Sequence, residues 1–287
     1  MLFRSGMKQR NCVGFSLILV LGMSIVMDQS SLVYAEPKGA FVADYPAVKM
    51  PEHEIWRSAM KDKDIFGKFA NTLNQLVAIP GIVTIEAREC GQENAFYKPI
   101  GGPLAEIVMC YEFLDYLERV FSPYNEDPRK IGQMVMGAWI FTLLHEMGHA
   151  LIHQLDLPIT GKEEDAVDQL STLILTNAGV SGETALLAGA QWFRLASSLY
   201  RSQNTSENVH YNFSDEHSIN EQRFYNLLCW EYGYNPEAAE WTVKDGTLPA
   251  KRAQRCNNEY QQIVHTWERL LAPHAKTKPP LFPGVNR

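Results

Sequence analysis

The residues best suited to chemistry lie in the stretch HEMGH, residues 145–149. His145 and His149 are four residues apart, so on a helix their imidazoles project from one face, one turn from each other. That separation suits two nitrogen ligands of one zinc ion, and Glu146 between them can take a proton from an attacking water. The pattern indicates a zinc-dependent hydrolase, and the alternative is an ordinary helix whose histidines hydrogen-bond to backbone or to acids.

The segment around this motif, residues 131–155, reads as a long and largely apolar helix of the kind that runs through a core. Polar side chains without partners would cost several kcal/mol there, and metal ligation is one way to satisfy them. His153 continues the four-residue spacing, but it lies about 12 Å along the helix axis from His145, too far to share a metal with it. We interpret His153 as a residue at the rim of the site.

The stretch TGKEEDAVD, which follows the apolar helix, offers acids for a third ligand. Thr160 followed by Glu163 matches a capping box, which would give Glu163 a local structural role and leave Glu164 as the better ligand. Asp168 is one turn beyond Glu164, where it can accept the free ring N–H of a ligand histidine. Glu163 and Asp165 remain alternative ligands, and the helix macrodipole alone also favours acids in a first turn.

The rest of the pattern predicts a predominantly helical α+β fold with a small antiparallel sheet. Alternating, β-branched residues in 82–90 and a Pro/Gly turn followed by an apolar strand in 95–110 indicate a hairpin. Helical periodicity is expected in 52–78, 111–121, 131–155, 162–177, 183–202, 217–232 and 248–271.

The N-terminus has the order of a secretory signal peptide, because Lys8 and Arg10 precede an apolar run that is followed by small residues up to Ala35. An uncleaved anchor is the alternative, but the run is shorter than the roughly 20 residues of a comfortable membrane span. We predict a signal peptide over 1–35, a linker over 36–51, and a single domain over 52–287 without a stable membrane span. The mature chain is expected in the periplasm or secreted.

Four cysteines remain after the predicted signal peptide, and an even number suits two disulfides in an exported protein. Three pairings are possible; Cys90 with Cys110 and Cys229 with Cys256 are favoured as local pairs. A four-cysteine zinc site lacks the close CxxC spacing that it needs. The net charge of -7, without a run of basic residues, argues against nucleic acid as a partner.

The HExxH motif with a downstream Glu-xxx-Asp resembles the gluzincin metallopeptidases, of which thermolysin is the familiar member. The resemblance implies a zincin-like fold and one zinc ion, with His145, His149 and Glu164 as ligands, Glu146 as general base and Asp168 as support for a ligand histidine. The departure is the short connection from His149 to Glu164, which is nearer to that of compact, minimal gluzincins.

The chain resembles more closely a bacterial family of exported proteins of unknown function that are labelled metallopeptidases. The blocks CGQENAFYKP, IVMCYEFL, HEMGHALI, LPITGKEEDAVDQL and DEHSINEQRFYNLLCWEYG carry this resemblance over most of the mature chain. The last block is also similar to the C-terminal block of some membrane-associated HExxH proteases, in which a histidine and a downstream arginine approach the site. By that analogy His217 is the first candidate to stabilise the transition state and Tyr225 the second, whereas Arg223 in a surface ion pair is the alternative.

Two functions are therefore weighed. The first is a zinc metallopeptidase that acts on peptides or proteins outside the cytoplasm, with an extended substrate added to the strand region 95–110. The second is a non-catalytic exported protein that keeps the zinc fold and binds peptide or cell-envelope material. Only the enzyme would lose turnover while keeping zinc when Glu146 becomes glutamine.

Overall fold

The computed structural model describes residues 39–202, 216–278 and 280–282. The predicted signal peptide, 1–35, lies outside these residues. The described chain contains nine α-helices, which are α1 (Pro51–Asp62), α2 (Ile65–Leu76), α3 (Tyr111–Phe121), α4 (Pro128–Gln154), α5 (Glu163–Thr176), α6 (Gly179–Ser202), α7 (Asn220–Tyr234), α8 (Pro236–Lys244) and α9 (Ala250–Leu271). The described strands are β1 (Ala40–Asp44), β2 (Ile82–Arg88), β3 (Ala95–Gly101) and β4 (Leu104–Cys110). The fold is thus mostly helical α+β, as predicted.

Helix α4 forms the centre of the fold and carries the HExxH motif. Asp127 caps its start by accepting a hydrogen bond from the Arg129 N–H at 3.0 Å, and Pro128 occupies the first turn, where no N–H is needed. The helix packs against α3, α5 and α6 and against the sheet. By length and composition it could cross a membrane, but 83% of its most apolar window is buried inside the protein. It is the core helix that the sequence predicted.

Glycine allows α5 to lie directly against the motif. A Cβ at Gly148 would lie 2.8 Å from Cβ and Cγ1 of Val167, closer than side chains tolerate. Because Gly148 has no side chain, the start of α5 reaches the face of α4 that carries His145 and His149. A larger residue at 148 would push the two helices apart and separate the acids from the histidines.

The sheet is mixed rather than a simple antiparallel hairpin, which corrects the prediction. Its order is β1-β2-β4-β3; β1 pairs with β2 and β2 with β4 in parallel, and β3 alone is antiparallel to its neighbour β4. The hairpin therefore lies within 95–110, with Gly101 and Gly102 at positive φ in its turn. Strand pairing depends on contacts distant in sequence, so alternation alone could not distinguish parallel from antiparallel neighbours.

Strand β1 was missed by the prediction of a linker over 36–51. Its Phe41 is fully buried. The Asn74 side chain on α2 accepts a hydrogen bond from the Phe41 N–H and donates one to the Phe41 carbonyl, both at 2.8 Å. These bonds fasten the edge strand to α2. The segment is short and rich in Pro and Ala, which hid a strand stabilised by its neighbours.

Two disulfides pair the cysteines as predicted. Cys90 joins Cys110 across the start of α3, and Cys229 on α7 joins Cys256 on α9. Such bonds are typical of proteins in oxidising compartments. The first one holds the end of β2 to β4, beside the strand that approaches the HExxH helix.

Candidate metal centre

Three side chains converge as the spacing predicted. One atom each from His145, His149 and Glu164 lies within 4.8 Å of the other two. Two imidazole nitrogens and one carboxylate oxygen are a ligand set typical of catalytic zinc, which leaves a fourth position for water or substrate. The donor chemistry and the mutual distances therefore fit one divalent metal ion.

Glu164 is the centre of this cluster. Its Oε2 lies 3.0 Å from His145 Nε2 and 2.9 Å from His217 Nε2, and its Oε1 lies 3.4 Å from His149 Nε2. The Nε2 atoms of both motif histidines thus face the same carboxylate. Since a ligand must offer its lone pair toward a common point, this orientation is the one that a shared metal requires.

The outer nitrogen of His145 is held by Asp168, the residue predicted to support a ligand histidine. His145 Nδ1–H donates to Asp168 Oδ1 at 2.8 Å, which fixes the tautomer that leaves Nε2 facing the cluster. Arg223 forms a two-pronged ion pair with the same carboxylate, from Nε to Oδ2 at 2.7 Å and from Nη2 to Oδ1 at 2.8 Å. Arg223 is buried against the Phe193 ring, so the alternative of a surface ion pair is wrong.

His149 is oriented in the same way by Glu163, whose Oε1 lies 2.7 Å from His149 Nδ1. The predicted capping box is wrong: helix α5 begins at Glu163, its N-cap is Lys162, and no side chain caps it. Glu163 therefore contacts the outer nitrogen of His149 instead of folding back to Thr160. The chain turns two residues later than the pattern suggested, and this frees Glu163 to reach α4.

Glu146 points to the edge of the sheet. Its Oε2 accepts a hydrogen bond from the backbone N–H of Tyr97 on β3 at 2.8 Å. The Tyr97 hydroxyl in turn lies 2.6 Å from Nδ1 of His153, the rim residue of the sequence analysis. The contact of Tyr97 with Glu146 comes from the packing of β3 on α4, for which the local sequence carries no signal.

These residues open into one cleft of about 1180 Å³. The cleft is bounded by the start of β3, by α3, by the HExxH face of α4, by the first turn of α5 and by α6. Its lining includes Glu146, His217 and Arg223 together with the three candidate ligands. Tyr225, the second candidate for transition-state stabilisation, is absent from this lining and packs against Phe224 on α7.

The acids and imidazoles of the cluster strongly shift each other's pKa values. Burial favours neutral forms, but hydrogen bonds to Asp168 and Glu164 outweigh it and raise the pKa of His145. Despite burial, contacts with Glu164 and Glu163 raise the pKa of His149 to about 9. Burial also opposes ionisation of Glu164, yet the three imidazoles hold its pKa well below the usual value. Glu164 is therefore an anion that faces imidazoles which favour the protonated form.

The pKa of Asp168 is also lowered, and here an arginine contributes as well as an imidazole. Burial tends to raise the pKa of Asp168, but the Arg223 guanidinium and the His145 ring lower it to about 2. Asp168 is therefore an anion at neutral pH, ready to accept the His145 ring N–H. A permanent negative charge at this position makes the facing imidazole a more basic ligand.

The fold and this site together define a class, namely a helical α+β protein with a candidate metal centre on an HExxH helix. A family model described as "Putative metallopeptidase" matches residues 45–271, so the chain belongs to that family. No curated protein and no solved structure matches the chain. The family description supports a metal-dependent peptidase as the coarse class.

Proposed function

We propose that this protein is an exported zinc metallopeptidase with a gluzincin-like site. The observation that carries the proposal is the convergence of His145, His149 and Glu164 donor atoms within 4.8 Å, in the same cleft as Glu146. Zinc is the metal of choice because two imidazoles and one carboxylate match its catalytic sites. The two disulfides and the predicted signal peptide support action outside the cytoplasm.

In this proposal the bound zinc would polarise the substrate carbonyl and activate water. Glu146 takes the proton from the attacking water and delivers it to the amine that leaves. The Tyr97 N–H holds Glu146 Oε2, which leaves Oε1 for this transfer. Asp168 and Glu163 keep the Nε2 atoms of the two histidines directed inward.

His217 is the residue proposed to stabilise the oxyanion. It lies in the cleft with 41% of its side chain exposed, and its ring is parallel to that of His145 with centroids 6.1 Å apart. An imidazole N–H at this position can donate to the carbonyl oxygen as negative charge develops on it. Lys162 anchors the His217 backbone by donating to its carbonyl at 3.2 Å.

Strand β3 is proposed to bind the substrate backbone. It is the outer strand of the sheet, it is partly exposed along its length, and its first residues line the cleft beside Glu146. An extended peptide can add to such an edge through main-chain hydrogen bonds. This refines the expectation for 95–110, because β4 is paired with β2 on one side and β3 on the other, so the unpaired edge within this region belongs to β3.

The test compares turnover with metal content in Glu146→Gln, with Glu237→Gln on the exposed surface of α8 as the matched control. The isosteric change removes the general base but none of the ligands, so we expect kcat to fall about 10²–10⁴-fold while zinc remains bound. Turnover is measured on a peptide library and zinc by plasma mass spectrometry. Unchanged turnover in Glu146→Gln would refute the role of the base, and absence of turnover in the zinc-loaded native protein would favour the non-catalytic binding protein.

A further inference from the structure

One wall of the cleft is aromatic and takes no part in the proposed chemistry. It is formed where α3, α4 and α6 meet, and we call it the aromatic wall: Phe113, Tyr116, Phe141, Trp192 and Phe193. The Trp192 indole stacks on Phe193 with centroids 4.7 Å apart and meets Phe113 edge to face at 5.4 Å. Phe141 meets Phe193 edge to face at 5.8 Å. These contacts fix the rings relative to one another, so the wall is preformed.

Trp192 is the member of the wall best placed to contact a ligand. Phe113, Phe141 and Phe193 are buried at 4% exposure or less, whereas Trp192 and Tyr116 are partly buried and line the cleft. The Arg119 guanidinium lies over the Tyr116 ring at 5.9 Å, which leaves Trp192 as the more apolar of these two rings. Ala196, one turn further along α6, and Leu199, two turns further, also line the cleft and add apolar surface beside Trp192. The part of the cleft lining that α6 supplies is therefore the aromatic ring of Trp192 with small or aliphatic side chains beside it.

The wall is continuous with the metal centre. Arg223, which holds Asp168, stacks over the Phe193 ring at 4.0 Å from its centroid. The same cleft is lined by His145, Glu146 and Trp192, so a peptide whose carbonyl lies at the candidate metal centre can direct a neighbouring side chain toward these rings. Aliphatic and aromatic surfaces are attracted to such a wall, while a charged side chain would lose its hydration there.

We propose that the aromatic wall is a specificity pocket that takes an aromatic side chain next to the scissile bond of a peptide substrate, with Trp192 as its specificity-determining residue. This inference rests on the proposed peptidase function. Peptides with phenylalanine, tyrosine or tryptophan at one position beside the cleavage point are the expected substrates. Peptides with lysine or glutamate at that position are expected to be excluded.

The first experiment maps cleavage sites by mass spectrometry after the zinc-loaded protein has acted on a mixed peptide library. We expect aromatic residues to be enriched on one side of the cleaved bonds. Trp192→Ala should reduce the preference for phenylalanine over alanine roughly tenfold, and Trp192→Phe should restore most of it, because a stacked aromatic pair supplies that discrimination. Trp241→Ala is the matched control, since Trp241 is 49% exposed on α8 and lies away from the cleft lining.

The second experiment does not depend on turnover. Binding of N-acetyl-4-fluorophenylalanine amide to Glu146→Gln is followed by ¹⁹F NMR, with N-acetyl-lysine amide as competitor. The added Trp192→Ala change should weaken binding roughly tenfold, and the lysine compound should not compete. Circular dichroism and zinc content establish that each variant is folded.

The two experiments separate the two proposals. Aromatic binding that depends on Trp192, without cleavage of any peptide, would support the pocket and refute the peptidase. Cleavage without an aromatic preference, or with a preference that survives Trp192→Ala, would overturn the pocket and leave the peptidase intact. Absence of both cleavage and binding would overturn both.

Discussion

Two clusters among the described residues bury imidazole between acids, and they differ in where the ring nitrogens point. His53 on α1 lies between two carboxylates, with Nδ1 3.1 Å from Glu89 and Nε2 3.1 Å from Asp115. Both of its nitrogens are used by separate acids on opposite sides of one ring. At the candidate metal centre, by contrast, His145 and His149 turn their Nε2 atoms toward one carboxylate, that of Glu164.

The difference separates a structural cluster from a candidate metal site. Glu89 also accepts the backbone N–H groups of Lys49 and Met50, so the His53 cluster ties the start of α1 to the end of β2 and to α3. It has a single imidazole and no common point for several lone pairs. Burial of a histidine among acids is therefore insufficient evidence of metal binding. The informative feature is that several donor atoms converge and that an acid contacts the outer nitrogen of each histidine.

Glu231 extends the comparison to a buried carboxyl with no cationic partner. It is 2% exposed on α7, and its Oε2 has no hydrogen-bond partner among the described residues. Burial, with a further contribution from the charge of Glu183, raises the pKa of Glu231 to about 7. Because the folded state holds this proton more tightly than the unfolded state, the contribution of Glu231 to stability is largest below about pH 4.5 and is lost as the pH rises to about 7.

We therefore expect Glu231→Gln to raise the free energy of unfolding by up to about 3 kcal/mol at pH 8 and to have little effect at pH 4.5. Denaturant unfolding with intact disulfides and added chelator measures this difference. Glu237→Gln on the exposed surface of α8 is the control. An effect of equal size at both pH values would contradict the assignment of a buried proton to Glu231.

Asp168→Asn tests the support behind the ligands. Asparagine keeps the shape but removes the charge that faces His145 and Arg223, so we expect zinc affinity to fall about 10–100-fold. Affinity is measured by competition with a chromophoric chelator, on protein shown to be folded by circular dichroism. Asp165→Asn, on the same helix, is the control and should keep the native affinity. Equal affinities in all three proteins would remove Asp168 from the metal centre.

Of the variants considered, His53→Gln should change stability least, and it should leave zinc binding unchanged. Desolvation lowers the pKa of His53, but hydrogen bonds to Asp115 and Glu89 outweigh it and raise the pKa above the ordinary value. The protonated ring stabilises the fold fully below about pH 6.5, and this stability is lost as the pH rises through the folded-state pKa. The variant should therefore have a lower melting temperature mainly at pH 6, and His265→Gln on the surface of α9 is the control. A fall in zinc content of His53→Gln would mean that the two clusters are coupled.

The same contrast shows what the sequence could predict. His145, Glu146 and His149 share one helix turn, and Glu164 and Asp168 share another, so helical periodicity alone brought the right atoms onto two faces. The His53 cluster joins residues up to 62 positions apart and has no local pattern. The His53–Glu89–Asp115 contacts, like the Glu146–Tyr97 bond, depend on how the sheet packs against the helices.

The sequence predictions that were wrong have physical reasons of the same kind. A capping box is favoured by local hydrogen bonds, but Glu163 finds a stronger partner in His149, since an imidazole flanked by two acids is readily protonated. The linker over 36–51 and the antiparallel sheet were predicted from local composition, whereas β1 and the parallel pairing of β2 with β4 are set by contacts distant along the chain. Tertiary packing decided each of these features.

The most direct test of the central claim is the metal content of residues 36–287, produced in an oxidising compartment and measured by plasma mass spectrometry. Glu164→Ala is compared with Glu163→Ala, the same change at the adjacent acid that only supports His149. We predict about one zinc per chain in the native protein and in Glu163→Ala at saturating zinc, and a sharp loss in Glu164→Ala. Full zinc content in Glu164→Ala, or none in the native protein after zinc is supplied, would contradict the proposed metal centre.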